Sequence, residues 1–60
     1  MNWRELNRVL HAKTEDEVKA MLLEELEGPK RVTFIERLHQ RFTALRAARE
    51  RIELMKEATK

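Results

Sequence analysis

The 60-residue sequence has no cysteine, no serine and no tyrosine, and it has one glycine and one proline. Without cysteine, disulfides and thiolate metal sites are excluded. Without serine or cysteine, nucleophilic catalysis would depend on threonine or lysine, and no evident base accompanies either of them. No glycine-rich loop of the kind that cradles phosphate is present. The sequence therefore predicts neither an enzyme nor a cofactor.

Long hydrophobic runs are also missing. No apolar stretch approaches the roughly 20 residues that a membrane-spanning helix needs. The first ten residues, MNWRELNRVL, include Glu5 and lack the apolar centre of a secretory signal. We therefore expect a cytoplasmic protein that does not associate with membranes.

A chain of this length forms at most one domain, spanning residues 1–60, and a lone copy is only marginally stable. Small domains usually gain stability from disulfides, from a metal or from a partner chain. Because cysteine is absent, association with another chain is the expected source of additional stability.

Helix signals divide the chain into three segments. Asparagine or threonine is followed three residues later by glutamate, which is typical of helix starts, at three places: Asn2–Glu5, Thr14–Glu17 and Thr33–Glu36. Gly28 and Pro29 interrupt the pattern between the second and third segments. No alternation typical of strands occurs. The sequence predicts an all-α fold with helices at about 3–12, 15–27 and 33–56.

The short turn at Gly28-Pro29 makes the second and third helices antiparallel neighbours, so we expect a helical hairpin. This pairing predicts contacts of Leu26 with Ile35, of Leu22 with Leu38, and of Val18 with Phe42. The long helix outruns its partner beyond Phe42. The short N-terminal helix is then expected to cover part of the remainder, near Leu45 and Ile52, with Trp3, Leu6 and Leu10. Trp3 is interpreted as a core residue, with anchoring of a partner as the alternative.

A second, small and apolar face on the long helix predicts self-association. At about 100° per residue it is distinct from the stripe of Ile35, Leu38, Phe42, Leu45 and Ile52. Two hairpins packed as a helical bundle would bury both faces. The predicted interface of this homodimer consists of Ala44, Ala47, Ala48, Arg51, Leu54 and Met55.

Charge is distributed unevenly along the chain. Residues 1–28 carry four basic and seven acidic side chains, a net charge of −3, and residues 29–60 carry nine and four, a net charge of +5. Two interpretations stay open. Either the halves complement each other in the fold, or the basic half meets a polyanion.

The arginines of the stretch RLHQRFTALRAARER, residues 37–51, allow the same two interpretations. Structurally, Arg49 falls within the apolar stripe and needs an acid such as Glu5 or Glu53. Arg46 and Glu50 are spaced for a surface pair, and Glu25 is expected to meet Arg37 or Arg41. The alternative is a nucleic-acid or partner surface at the start of the long helix. Its candidate contacts are Lys30, Arg31, Arg37, Gln40 and Arg41.

Glu36 and His39 have the E-x-x-H spacing that supplies two metal ligands in some helical bundles. Here the pair is expected on the solvent side, and the second helix offers no matching inward carboxylates. We therefore predict a surface histidine and no metal site.

Two segments, NWRELNRVLHAKTEDEVKAMLLEELEG and RVTFIERLHQRFTALRAARERIEL, cover nearly the whole chain. With their helix caps, heptad-like leucines and arginines, they resemble small helical proteins of tailed bacteriophages. The resemblance implies a bacterial cytoplasmic setting and action on host machinery, and it implies no catalytic residue. Taken together with the residue patterns, it predicts a non-enzymatic protein-interaction or assembly module that acts on a host or phage protein. The alternative is a small nucleic-acid-binding protein.

Overall fold

A computed structural model describes residues 1–59 of the chain. These residues form three helices and no strand. Helix α1 spans Trp3–Leu10, α2 spans Glu15–Glu27, and α3 spans Val32–Ala58. The all-α prediction is confirmed. Helix α1 ends two residues before its predicted end, and α3 extends about one further residue at its start and two at its end.

Side-chain caps begin the first two helices as their spacing predicts. Asn2 Oδ1 accepts a hydrogen bond from the Glu5 amide over 2.8 Å. Thr14 and Glu17 form a complete capping box, in which each side chain accepts from the other residue's amide. The predicted box at Thr33 is wrong. Helix α3 starts at Val32 without a side-chain cap, because the chain before it is held through Arg31.

The turn between α2 and α3 is closed by backbone hydrogen bonds. The Gly28 amide donates to the Glu24 carbonyl and the Lys30 amide to the Glu25 carbonyl, each over 2.9 Å. A Cβ at Gly28 would lie 3.1 Å from the Glu24 oxygen, so a larger residue would crowd the end of the helix. Lys30 has a φ of 55°, the left-handed conformation that frequently ends helices.

Helices α2 and α3 pack as an antiparallel pair. Glu25 meets Arg31 near the turn, and Glu15 meets Arg49 at the other end of α2. Apolar residues from all three helices fill the core between them. The buried residues are Leu6, Leu10, Val18, Phe34 and Leu38, with Met21, Leu22, Phe42 and Leu45 packed around them.

The face that α3 turns to the core differs in part from the predicted stripe. Leu38 is buried as expected, but Phe34 is buried where the prediction had Ile35, which is only half-buried. Leu26, its predicted contact, remains 44% exposed. Ile52, also placed in the stripe, is 58% exposed and was predicted wrongly. Among residues 1–59 no helix lies beside Ile52, because α2 begins opposite Arg49.

Helix α1 lies against the start of α3, not against Leu45 and Ile52 as predicted. The Trp3 ring meets the Phe34 ring edge-on at 6.0 Å between centroids. One turn later, Arg37 Nε donates to Asn7 Oδ1 over 2.7 Å. Trp3 is 49% exposed, so its interpretation as a core residue is wrong. Leu6 and Leu10 provide the buried face of α1.

Candidate interaction surfaces

An ion pair between a buried carboxylate, Glu25, and the exposed Arg31 joins α2 to α3 at the turn. The Glu25 carboxylate, 6% exposed, accepts from the Arg31 amide over 2.9 Å and from the guanidinium over 3.1 and 2.8 Å. Arg31 also donates to the Met1 carbonyl over 3.0 Å. Its guanidinium lies over the Phe34 ring, 3.7 Å from the centroid. Arg31 therefore holds together the N-terminus, the end of α2 and the start of α3.

Arg31, rather than Arg37 or Arg41, is the partner of Glu25, which corrects the predicted pairing. Side-chain hydrogen bonds from the Arg31 guanidinium lower the pKa of Glu25 from its ordinary value of 4.5. The bond from the Arg31 amide lowers that pKa further. The same side-chain bonds raise the pKa of Arg31. The folded protein thus stabilises the charged form of both groups.

This pair predicts a loss of stability in acid. Because the pKa of Glu25 is lower in the folded chain than in the unfolded chain, its contribution is complete above the unfolded value near 4.5. It disappears as the pH falls through the folded value. We expect the urea midpoint of unfolding to fall between pH 6 and pH 3. In Glu25→Gln the fall should be smaller, whereas an equal fall in both proteins would contradict the assignment.

Three of the five candidate contacts at the start of α3 make side-chain hydrogen bonds within the chain: Arg31, Arg37 and Gln40. Besides bonding Asn7, Arg37 donates from Nη1 to Gln40 Oε1 over 3.2 Å. Lys30 is exposed. A shallow depression in this surface is lined by Trp3, Thr33, Glu36, Arg37 and Gln40. The acid Glu36 therefore lies close to Arg37 and Gln40. The donors of Arg31 and Arg37 are therefore largely used inside the fold.

Arg41 lies half-buried beside this group. Its Nε is buried and has no hydrogen-bond partner within residues 1–59. A buried donor left unpaired is unfavourable by about 1–3 kcal/mol. Among the candidate contacts, Arg41 is thus the one with a buried hydrogen-bond donor that the described residues leave unsatisfied.

Arg49 marks the point where α2 ends along α3. It donates to both carboxylate oxygens of Glu15 over 2.9 and 3.4 Å, and to Glu53 over 3.1 Å. The prediction of Glu53 as a partner of Arg49 is confirmed. The other partner of Arg49, from the first half of the chain, is Glu15 and not Glu5. The hydrogen bonds that Arg49 donates to these two carboxylates raise its pKa. The predicted pair of Arg46 and Glu50 forms at 3.5 Å.

Beyond Arg49, α3 continues with no neighbouring helix from the part of the chain that the structure describes. We call residues 50–58 the projecting end of α3; at 1.5 Å per residue it is about 13 Å long. Every residue of this segment is exposed. Leu54 is 69% and Met55 57% exposed. All six residues of the predicted interface are exposed in the single chain: Ala44, Ala47, Ala48, Arg51, Leu54 and Met55.

One heptad pattern runs along α3 from the buried part into the exposed part. Steps of four and three residues connect Phe34, Leu38, Arg41, Leu45, Ala48, Ile52 and Met55. The chain's own helices cover Phe34 and Leu38, whereas nothing within residues 1–59 covers Ile52 and Met55. The predicted interface omitted Ile52 because α1 was expected to cover it. The 4-3 spacing is the signal that groups Ile52 with Ala48 and Met55.

Charges on the projecting end are separated around the helix. At about 100° per residue, Arg51 and Lys56 flank the face that carries Ile52 and Met55. The acids lie on the other side, where a depression is lined by Glu50, Glu53, Leu54 and Glu57. The exposed continuation of the heptad pattern is thus an apolar strip with basic edges.

Two further kinds of site were sought in the described part of the chain. No helix there is both long enough and apolar enough to span a membrane. Residues 1–59 contain no group of three or more histidine and carboxylate side chains arranged to hold a metal ion. His39 is exposed on α3.

Comparison with protein families, with curated proteins and with solved structures found no match to this chain.

Proposed function

We propose that this protein is a non-enzymatic protein-interaction module that self-associates through the projecting end of α3. Ile52 and Met55 form the centre of the interface, Arg51 and Leu54 extend it around the helix, and Ala44, Ala47 and Ala48 continue it into the preceding turns of α3. The resemblance to proteins of tailed phages adds the proposal that the assembled module acts on a phage or host protein in the bacterial cytoplasm.

The observation that carries this proposal is the length mismatch between α2 and α3. A helix of 27 residues packs against one of 13. The unpaired part keeps three large apolar side chains, each more than half exposed: Ile52, Leu54 and Met55. Isolated helices of this length are marginal in water, and most helical stability in proteins comes from packing an apolar face. A partner would supply that packing.

A protein partner is favoured over nucleic acid by the arginine contacts. Arg31 is bound to Glu25, and Arg37 is bound to Asn7 and Gln40. Base or phosphate binding by these side chains would first break bonds inside the fold. Arg51 and Lys56 are exposed, but they flank apolar residues, as charges do at the edges of helix–helix interfaces.

Sedimentation equilibrium over a range of concentrations tests self-association. We expect the mass to approach twice the 7.2 kDa of one chain as concentration rises. Met55→Glu should remain at the mass of one chain over the same range, because it places a charge in the apolar centre of the interface.

Ala12→Glu is the matched control, since it adds the same charge at an exposed residue between α1 and α2. It should associate as the wild type does. A wild-type mass of 7.2 kDa at every concentration up to about 1 mM would overturn the proposal.

A further inference from the structure

We infer that the projecting end of α3 docks on the outer face of α2 in a second copy of the chain, rather than on a second projecting end. The outer face of α2 is defined by Leu23, Glu24, Leu26 and Glu27. The inference rests on the proposed self-association and names the surface that receives the projecting end.

The two surfaces match in their apolar residues. On α2, Leu23 is 49% and Leu26 44% exposed. They are three residues apart, as are Ile52 and Met55 on α3. Residues three apart lie side by side on a helix surface, so each helix offers a pair of neighbouring apolar side chains. Packing one pair against the other would remove all four from water.

Helix α2 has more acidic side chains than form hydrogen bonds or ion pairs within the described part of the chain. Helix α2 carries six acids and one base, Lys19. Three of the acids are bound, to Arg49, in the Thr14 cap and to Arg31. For the other three, Asp16, Glu24 and Glu27, residues 1–59 provide no hydrogen bond or ion pair. Glu24 and Glu27 also lie near the negative end of the helix dipole, where acids are unfavourable and no base accompanies them.

The projecting end, in contrast, carries basic side chains that do not form ion pairs within the described part of the chain. Arg51 and Lys56 are exposed, and neither has an ion-pair partner in the described part of the chain. In a coiled coil, the residues that flank the apolar strip face those of the other helix. Two identical projecting ends packed strip to strip would therefore bring Arg51 of one copy near Lys56 of the other. Docking on α2 instead places Arg51 against Glu24 and Glu27, which share one flank of the Leu23–Leu26 pair.

Helix lengths allow both contacts to form at once. Leu23 and Leu26 lie at the turn end of the hairpin, and the projecting end lies at the opposite end of α3. Two copies packed antiparallel place each projecting end beside the turn end of its partner. Because this arrangement has twofold symmetry, each copy gives one contact and receives one, and the assembly closes as a dimer.

A charge exchange between the two surfaces tests the inference. One variant carries Arg51→Glu and Lys56→Glu; the other carries Glu24→Lys and Glu27→Lys. All four residues are exposed, so both variants should keep the wild-type circular dichroism. We expect each variant alone to sediment as one chain at a concentration where the wild type is a dimer. An equimolar mixture should recover the dimer mass, because both contacts of the mixed dimer are again complementary.

The outcomes separate this inference from the proposed function. If the wild type is a dimer and the Glu24→Lys, Glu27→Lys variant is also a dimer, α2 is not the docking surface and the inference is overturned. Failure of the mixture to recover the dimer would also overturn it. A monomeric wild type would instead overturn the self-association on which the inference rests. As the matched control, Glu36→Lys changes an exposed acid at the start of α3 and should leave the dimer mass unchanged.

Discussion

Leu38→Ala should remove a large fraction of the chain's free energy of unfolding at 25 °C. Leu38 is 2% exposed and lies in the centre of the buried cluster with Leu6, Leu10 and Phe34. Truncating a buried leucine to alanine typically lowers the free energy of unfolding by about 2–5 kcal/mol. At about 0.05–0.15 kcal/mol per residue, a domain this small has only about 3–9 kcal/mol in total. Circular dichroism during urea titration measures the change.

Leu54→Ala is the matched control, because it removes the same atoms from a side chain that is 69% exposed. It should change the free energy of unfolding of the single chain by less than about 0.5 kcal/mol. Equal losses in the two variants would mean that the buried cluster does not stabilise the fold. The urea titrations of both variants should be made at a protein concentration low enough for the wild type to be a single chain.

Ending the chain after Glu53 should abolish self-association and leave the fold intact. The deletion removes Leu54, Met55 and Lys56 from the projecting end, and none of them is buried. It retains Glu53 and Glu15, which hold Arg49. The expected sedimentation mass is that of one shortened chain at every concentration. Its circular dichroism should show helix with a cooperative thermal transition.

The thermal midpoints of the shortened and full chains should agree at high dilution, where both are single chains. At high concentration the full chain should melt at a higher temperature, because association stabilises the folded state. A shortened chain that unfolds outright would show that the projecting end supports the core. A shortened chain that still dimerises would place the interface elsewhere.

Local hydrogen bonding explains why the boundaries of α2 could be predicted well. Thr14 and Glu17 are three residues apart and form their capping box without help from the rest of the chain. Gly28 caps the end of the helix through its amide bond to the Glu24 carbonyl, at a place where a side chain would crowd that carbonyl. The failure at Thr33 has the opposite cause. Arg31 bonds to Glu25 across the turn, and that bond fixes where α3 starts.

The candidate interface was predicted only in part, because it depends on where α1 lies. Five of its members could be identified as small or apolar residues outside the expected core stripe: Ala44, Ala47, Ala48, Leu54 and Met55. Ile52 was assigned to the core because its spacing from Leu45 suits either environment. The bond from Arg31 to the Met1 carbonyl joins residues 30 apart in sequence and holds α1 at the start of α3. Ile52 is exposed as a result.

The sequence by itself determined that this chain is helical, where its second helix starts and ends, and that its two long helices differ in length. These properties follow from hydrogen bonds and spacings between residues close in sequence. Tertiary structure alone decided that Phe34 and not Ile35 is buried, that Arg31 is the partner of Glu25, and that Arg49 pairs with Glu15. Phe34 and Ile35 are adjacent and both apolar, so either one fits the helical spacing of the buried stripe almost equally well. Only the Arg31 guanidinium stacked on Phe34, together with α1 against the same ring, selects one rotation of α3.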